Sequence, residues 1–175
     1  IRDSSKRFQF ERFILTQLLV MALKGVPAFY LPALLASEND IKSFSMTGQR
    51  RDLNREKFKI DNLLSVLNNP ESNANKNLNC LRNAMDVRSK LKQFHPCSEM
   101  KCLSKGRSDI VVIKRDKGPE SVFAIHNMTE NKINYQLNDN DLPKIIDHDS
   151  NMGDYLTSTK YSWKNISLDP FQVIW

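Results

Sequence analysis

No run of about eighteen apolar residues, the length an ordinary membrane-spanning helix needs, occurs in this chain of 175 residues. The longest hydrophobic segment, around Phe13 to Ala36, is broken by Thr16, Lys24, Gly25 and Pro27. The first eleven residues are polar and lack the charged-then-apolar layout of a secretory signal. Cysteine is scarce: Cys80, Cys97 and Cys102 cannot all pair with one another, and none has the close double spacing of a zinc site. Free thiols in a reducing compartment are the expectation, and with them a cytoplasmic protein. Histidine is as rare, and His95, His126 and His148 have no partner at metal-ligand or catalytic-triad spacing. Aromatic and basic residues are not interleaved as single-strand binders require, so the net charge of +6 makes nucleic acid an unlikely partner.

What is present suffices for a core, since 40% of the residues are apolar and 26% charged. Asp3, Ser4 and Ser5 offer caps for a first helix with Phe10, Phe13, Ile14, Leu18, Met21 and Ala22 at three- and four-residue spacings; Lys24 and Gly25 close it. GVPAFYLPALLA, residues 25–36, is apolar on both faces and reads as a doubly buried strand ending before Pro32. Residues 37–56 read as a long irregular loop with turn signals at Asn39-Asp40 and Thr47-Gly48. Two helices follow, one with Ile60, Leu63, Leu64 and Leu67, the other with Leu78, Leu81, Met85, Leu91 and Phe94, terminated at His95-Pro96.

After Met100 the period shortens. IVVIKR (110–115), SVFAIHNM (121–128), KINYQL (132–137), KIID (144–147) and FQVIW (171–175) read as strands, with KGPE and NDND as turns, in an antiparallel module of five to seven strands. Asn127-Met-Thr and Asn165-Ile-Ser fit the glycosylation sequon, which carries little weight without a secretory signal.

RFILTQLLVMALKGVPAFYLPALLASEND, then TGQRRDLNREKF, then VRSKLKQFHP together resemble the C-terminal part of sucrose phosphorylase and related glycoside phosphorylases of the α-amylase superfamily. The resemblance is carried by a GxPxxY segment, an Asn-Asp turn and a TGxxR segment running on to Asn-Arg-Glu, in that order over residues 6 to 100. It implies an α/β plus β fold: residues 1–98 as the C-terminal portion of a (β/α)8 barrel, with residues 25–31 as its last strand, and residues 99–175 as a small antiparallel β domain. Residues 37–56 would lie on the catalytic face, where such barrels carry their sites.

The resemblance further implies a retaining mechanism in which phosphate is the co-substrate, no other cofactor is needed, and an α-glucoside such as sucrose, sucrose 6-phosphate or glucosylglycerate yields glucose 1-phosphate. The catalytic carboxylates of the family come from earlier barrel strands, so the chain is expected to be a fragment that lacks them. Arg51 matches the family arginine that holds the glucosyl hydroxyls, a task suited to a planar, permanently charged guanidinium. Asp40, Asn54 and Tyr30 are the further candidate substrate-binding residues, with Asp40 better suited to a turn and Tyr30 to core packing. Asp52, Asn54 and Arg55 are expected to hold the loop, and Glu56 to open the next helix as a first-turn acid. A hydrolase of the same superfamily and a non-catalytic sugar- or nucleic-acid-binding module are the competing expectations.

Overall fold

The computed structural model describes residues 7–143 and 151–175. They form two compact units, one built from the chain up to Pro27 together with Asn83–Trp175, the other from Ala28–Arg82. The boundary expected near residue 98 falls inside the first. The cap residues Asp3 to Ser5, the strand expected at 144–147 and His148 lie outside the described residues.

The first unit begins with α1 (Gln9–Ala22), which buries Leu15, Leu18, Met21 and Ala22, the three- and four-residue spacing of one helical face. Its end is held differently from the sequence expectation. Instead of Lys24, two arginines from far along the chain reach the carbonyls that every helix leaves unpaired at its C-terminus. Arg115 donates to Ala22 O (3.1 Å) and Leu23 O (2.9 Å), as well as to His95 O (2.8 Å) and Glu99 O (3.3 Å). Arg88 donates to Met21 O and to Gly25 O, the latter at 2.7 Å. Arg115 is fully buried; burial lowers its pKa, and a fork of donors onto four carbonyls satisfies it where a single ammonium could not.

Eight strands are assigned among the described residues: β1 (Glu99–Cys102), β2 (Ile110–Lys117), β3 (Glu120–Asn127), β4 (Ile133–Tyr135), β5 (Asn151–Gly153), β6 (Lys160–Ser162), β7 (Ile166–Leu168) and β8 (Val173–Ile174). They make one four-stranded sheet in the order β1-β2-β3-β8 and two ribbons, β4-β7 and β5-β6, every pairing antiparallel. The β2-β3 hairpin is closed where Lys117 pairs Glu120, with Gly118 at φ 65° in the turn. A positive φ there is what glycine supplies without strain. β3 is buried from Val122 to Asn127. Ile110, Val112, Phe123, Ile125, Leu137, Trp163, Ile166, Leu168 and Ile174 form its main core.

Asn127, the first sequon residue, belongs to this interior: fully buried, it donates to Asn131 O and Asp169 O and accepts from Thr129 N–H. β1 was not foreseen, because all four of its residues are exposed and a polar edge strand carries no hydrophobic alternation.

The second unit holds α2 (Leu31–Leu34), α3 (Ile41–Thr47), a 3-10 turn at Arg50–Asn54 and α4 (Ile60–Asn68). α5 (Asn73–Lys90) begins in it. The strand expected at 25–31 is not formed. No strand pairs with Gly25–Tyr30 among the described residues, and the chain turns helical at Leu31 with Pro32 in the first turn. A parallel barrel strand is defined by ladder bonds to neighbours on both sides. The described residues supply neither neighbour, and Pro27 and Pro32 bring no N–H of their own. The irregular loop expected at 37–56 is likewise replaced by α3 and the 3-10 turn. Glu56 precedes α4 without entering it, and the first-turn acid is Asp61.

Candidate functional site

Residues 37–56 are stitched by short polar side chains. Asp40 caps α3: one carboxylate oxygen accepts from Ser43 N–H at 2.9 Å and the other from Ser43 Oγ–H at 2.5 Å. These bonds to Ser43, side chain first, hold its pKa below the usual carboxylate value. Its own N–H donates to Leu53 O at 2.7 Å, tying the start of α3 to the 3-10 turn. Thr47 Oγ–H donates to Asp52 Oδ2 at 2.5 Å, and Gln49 N–H donates back to Thr47 Oγ1 at 3.2 Å. Gly48 ends α3 at φ 67°, its N–H donating to Phe44 O at 2.8 Å. Only glycine, and less readily asparagine or aspartate, takes this left-handed conformation without cost.

This scaffold presents Arg51 on the Arg50–Asn54 turn, exposed and with no ion pair to a described residue. Its neighbours, Arg50 and Arg55, are exposed as well. Asp52, by contrast, is used to brace the turn, as expected of it. Asp40, a candidate for sugar contact, has both carboxylate oxygens engaged by Ser43. Asn54, at the end of the turn, is exposed. Tyr30 caps α2 through its carbonyl, which accepts from Ala33 N–H (2.9 Å) and Leu34 N–H (3.1 Å), and its side chain is 52% exposed instead of packed. The structure therefore brings Asp40, Asp52 and Arg51 into one braced segment and leaves Tyr30 on α2.

Sequence reasoning missed Asn77. Wholly buried, it donates from Nδ2 to Ala33 O and Leu34 O, each at 2.8 Å, and pins α2 onto α5. No sequence signal marks it, because asparagine is common on solvated helix faces. A cavity of about 450 Å³ lies in this unit, lined by Leu35, Lys57, Phe58, Lys59, Leu63 and Ala74 among others. No group of three or more metal-ligating side chains occurs among the described residues, and no helix there is long and apolar enough to cross a membrane.

The order of helices followed by an antiparallel β module is matched among solved structures. The chain superposes over 99% of its length on 35% of AmyP in complex with maltose (TM-score 0.75, 17% identity), and over 98% on 39% of the trehalose-6-phosphate hydrolase of Bacillus licheniformis (TM-score 0.66, 15% identity). This is the fold of the C-terminal part of α-amylase superfamily enzymes, as the sequence motifs implied. Among curated proteins it is similar to the glucosylglycerate phosphorylase of Allomeiothermus silvanus, 28% identical over 173 residues, covering 99% of this chain and 28% of that protein. The glucosylglycerate phosphorylase of Escherichia coli is 24% identical over 177 residues, covering 99% of this chain and 29% of its own. The chain thus spans less than a third of the length of these relatives. No protein-family model matches the chain.

Proposed function

We propose that this chain is the C-terminal part of a retaining glucosyl-transferring phosphorylase, and that it contributes the arginine that holds the glucosyl unit. In such an enzyme one carboxylate attacks the anomeric carbon while a second carboxylic acid protonates the departing glycosidic oxygen; phosphate, giving a proton back to that second group, then displaces the first carboxylate to yield glucose 1-phosphate. Two carboxylates about 5 to 5.5 Å apart perform the double displacement. In this reading they come from the part of the barrel outside this chain, and phosphate is the co-substrate. The observation that carries the reading is the similarity to glucosylglycerate phosphorylases over 99% of the chain. The segment supports the role of Arg51 by carrying it on a turn braced through Asp40–Ser43 and Thr47–Asp52; Arg50 and Arg55 are exposed beside it, and the motif match is what selects Arg51 among the three.

The test is a chimera in which this chain replaces the matching segment of the Allomeiothermus silvanus enzyme. Phosphate-dependent release of glucose 1-phosphate from glucosylglycerate, with sucrose as the contrasting substrate, is the expected result. Release of free glucose at the same rate without phosphate identifies a hydrolase instead. In the active chimera Arg51→Ala lowers kcat/KM roughly 10- to 150-fold, the range of a hydrogen bond to a charged partner. Near-native activity of that variant removes the assignment.

A further inference from the structure

α2 spans four residues, far fewer than the roughly 12 to 15 at which a helix begins to hold itself in water, so its place in the second unit is set from outside. Leu35, 6% exposed, anchors its end by packing. Asn77, wholly buried, anchors it by hydrogen bonds: both Nδ2–H donors are used, one on Ala33 O and one on Leu34 O, each at 2.8 Å. The amide orientation follows, because Oδ1 turned toward two carbonyls would meet two acceptors. Oδ1 is buried and has no donor. An unpaired buried acceptor costs about as much as a neutral hydrogen bond gains, so Asn77 adds little to stability, and its presence calls for another explanation.

The residue next to that end supplies one. Ala36 has φ 48°, the left-handed conformation in which helices commonly stop on glycine; in alanine it is strained. Backbone bonds close around it: Ala36 N–H donates to Ala33 O (3.3 Å) and Ser37 N–H to Pro32 O (2.9 Å). Strain of this kind persists only where neighbouring contacts over-determine the backbone, and the Asn77 amide grips two carbonyls just before the strained residue. Ser37, Glu38 and Asn39 then lead to Asp40, whose N–H donates to Leu53 O at 2.7 Å, within the turn that carries Arg51.

We propose that Asn77 is a positioning residue for Arg51: by holding the end of α2 it fixes the strained exit at Ala36, and through Asp40 and Leu53 that exit sets where the Arg50–Asn54 turn lies. The effect on catalysis rests on the role proposed above for Arg51, whereas the mechanical link from Asn77 to the turn stands without it. Asn77 is buried and acts through the backbone alone.

The first measurement is hydrogen exchange at the Asp40 amide of the ¹⁵N-labelled 175-residue chain. Asn77→Ala should accelerate it roughly 2- to 12-fold, the net loss of about one neutral hydrogen bond once the unpaired Oδ1 is also removed, while β2-β3 amides keep their protection. Adding Ala36→Gly should bring the rate back to within about twofold of wild type, because glycine holds a positive φ without strain. Ala36→Val, which leaves the buried amide in place and puts a β-branched residue at positive φ, should reproduce the acceleration, and it decides the matter if Asn77→Ala loses its fold. The second measurement is kcat/KM in the active chimera. Asn77→Ala should lower it roughly 10- to 100-fold, as a misplacement of about 1 Å can. It should cost nothing further once Arg51 is alanine, since residues acting through one contact are not additive. Unchanged Asp40 exchange in Asn77→Ala and Ala36→Val, no recovery with Ala36→Gly, or additive losses of Asn77→Ala and Arg51→Ala each overturn the proposal. An inactive chimera whose Asp40 amide responds as described counts against the phosphorylase reading alone.

Discussion

At the scale of single residues, the interior of the first unit is unusual for the polar groups it holds. His126 is fully buried on β3; its Nδ1 lies 3.3 Å from Val111 O, which makes Nδ1 the protonated nitrogen, and Nε2 has no hydrogen-bond partner. Burial pulls its pKa from 6.5 to about 4, opposed in part by the carbonyls of Val111, Ala124 and Leu18. The folded state thus binds its proton less readily than the unfolded one. Stability from the neutral imidazole is complete above about pH 6.5 and is lost as the pH falls toward 4, by about 3 kcal/mol in total. Urea unfolding between pH 7 and pH 4 should show this slope, and His126→Gln should flatten it. An unchanged slope in that variant would assign the acid sensitivity to carboxylates. Arg115 shows the converse solution, a buried charge kept by carbonyl acceptors alone. Neither role was legible in the sequence, since both depend on partners that are distant along the chain.

At the scale of elements, what could be read in advance followed from whether an element's cause is local. The helix at Ile60–Asn68 and the hairpin closed at Gly118 were legible because periodicity and turn chemistry act within a few residues. The strand at 25–31 was not, because a ladder needs neighbours. α3 was missed because IKSFSMT has no apolar stripe, yet its two ends were signalled: Asn39-Asp40 became the cap and Thr47-Gly48 the stop. The motif singles out Arg51 as a candidate, whereas the bracing of Asp40 by Ser43 and of Asp52 by Thr47 emerges only from the fold. The stop also makes the bracing testable. A Cβ on Gly48 would meet nothing within 4 Å, so Gly48→Ala carries backbone strain without a clash, about 1 kcal/mol for a left-handed alanine. Hydrogen exchange at the residue 48 amide, which bonds Phe44 O, should accelerate roughly fivefold, with Gly48→Asn between wild type and alanine. Equal protection in all three would mean that α3 is not held by its left-handed stop.

At the scale of the whole molecule, apolar burial is unequal. Among the described residues, the buried apolar side chains of the second unit are Leu35, Ala74 and Leu81, and the others all belong to the first. α2, α3, the 3-10 turn and α4 bury no residue of their own. Along α4, Ile60, Leu63, Leu64 and Leu67 follow the spacing of a single face, yet Ile60 is 65% and Leu64 49% exposed. Helices gain most of their stability by packing such a face, so the second unit should open at lower denaturant than the first. Unfolding followed at α4 amides and at β2-β3 amides should give two separate transitions, with an apolar dye bound before the first. Ile60→Lys combined with Leu64→Lys should abolish most of the dye signal and shift the lower transition by no more than about 0.5 kcal/mol per site, as for surface substitutions. A loss of about 2 kcal/mol or more, or one transition shared by both sets of amides, would mean that this face is covered in solution. The polypeptide covering it would then be the partner to identify, beginning with a second copy of the chain and with the parts of the relatives that lie beyond the region this chain matches.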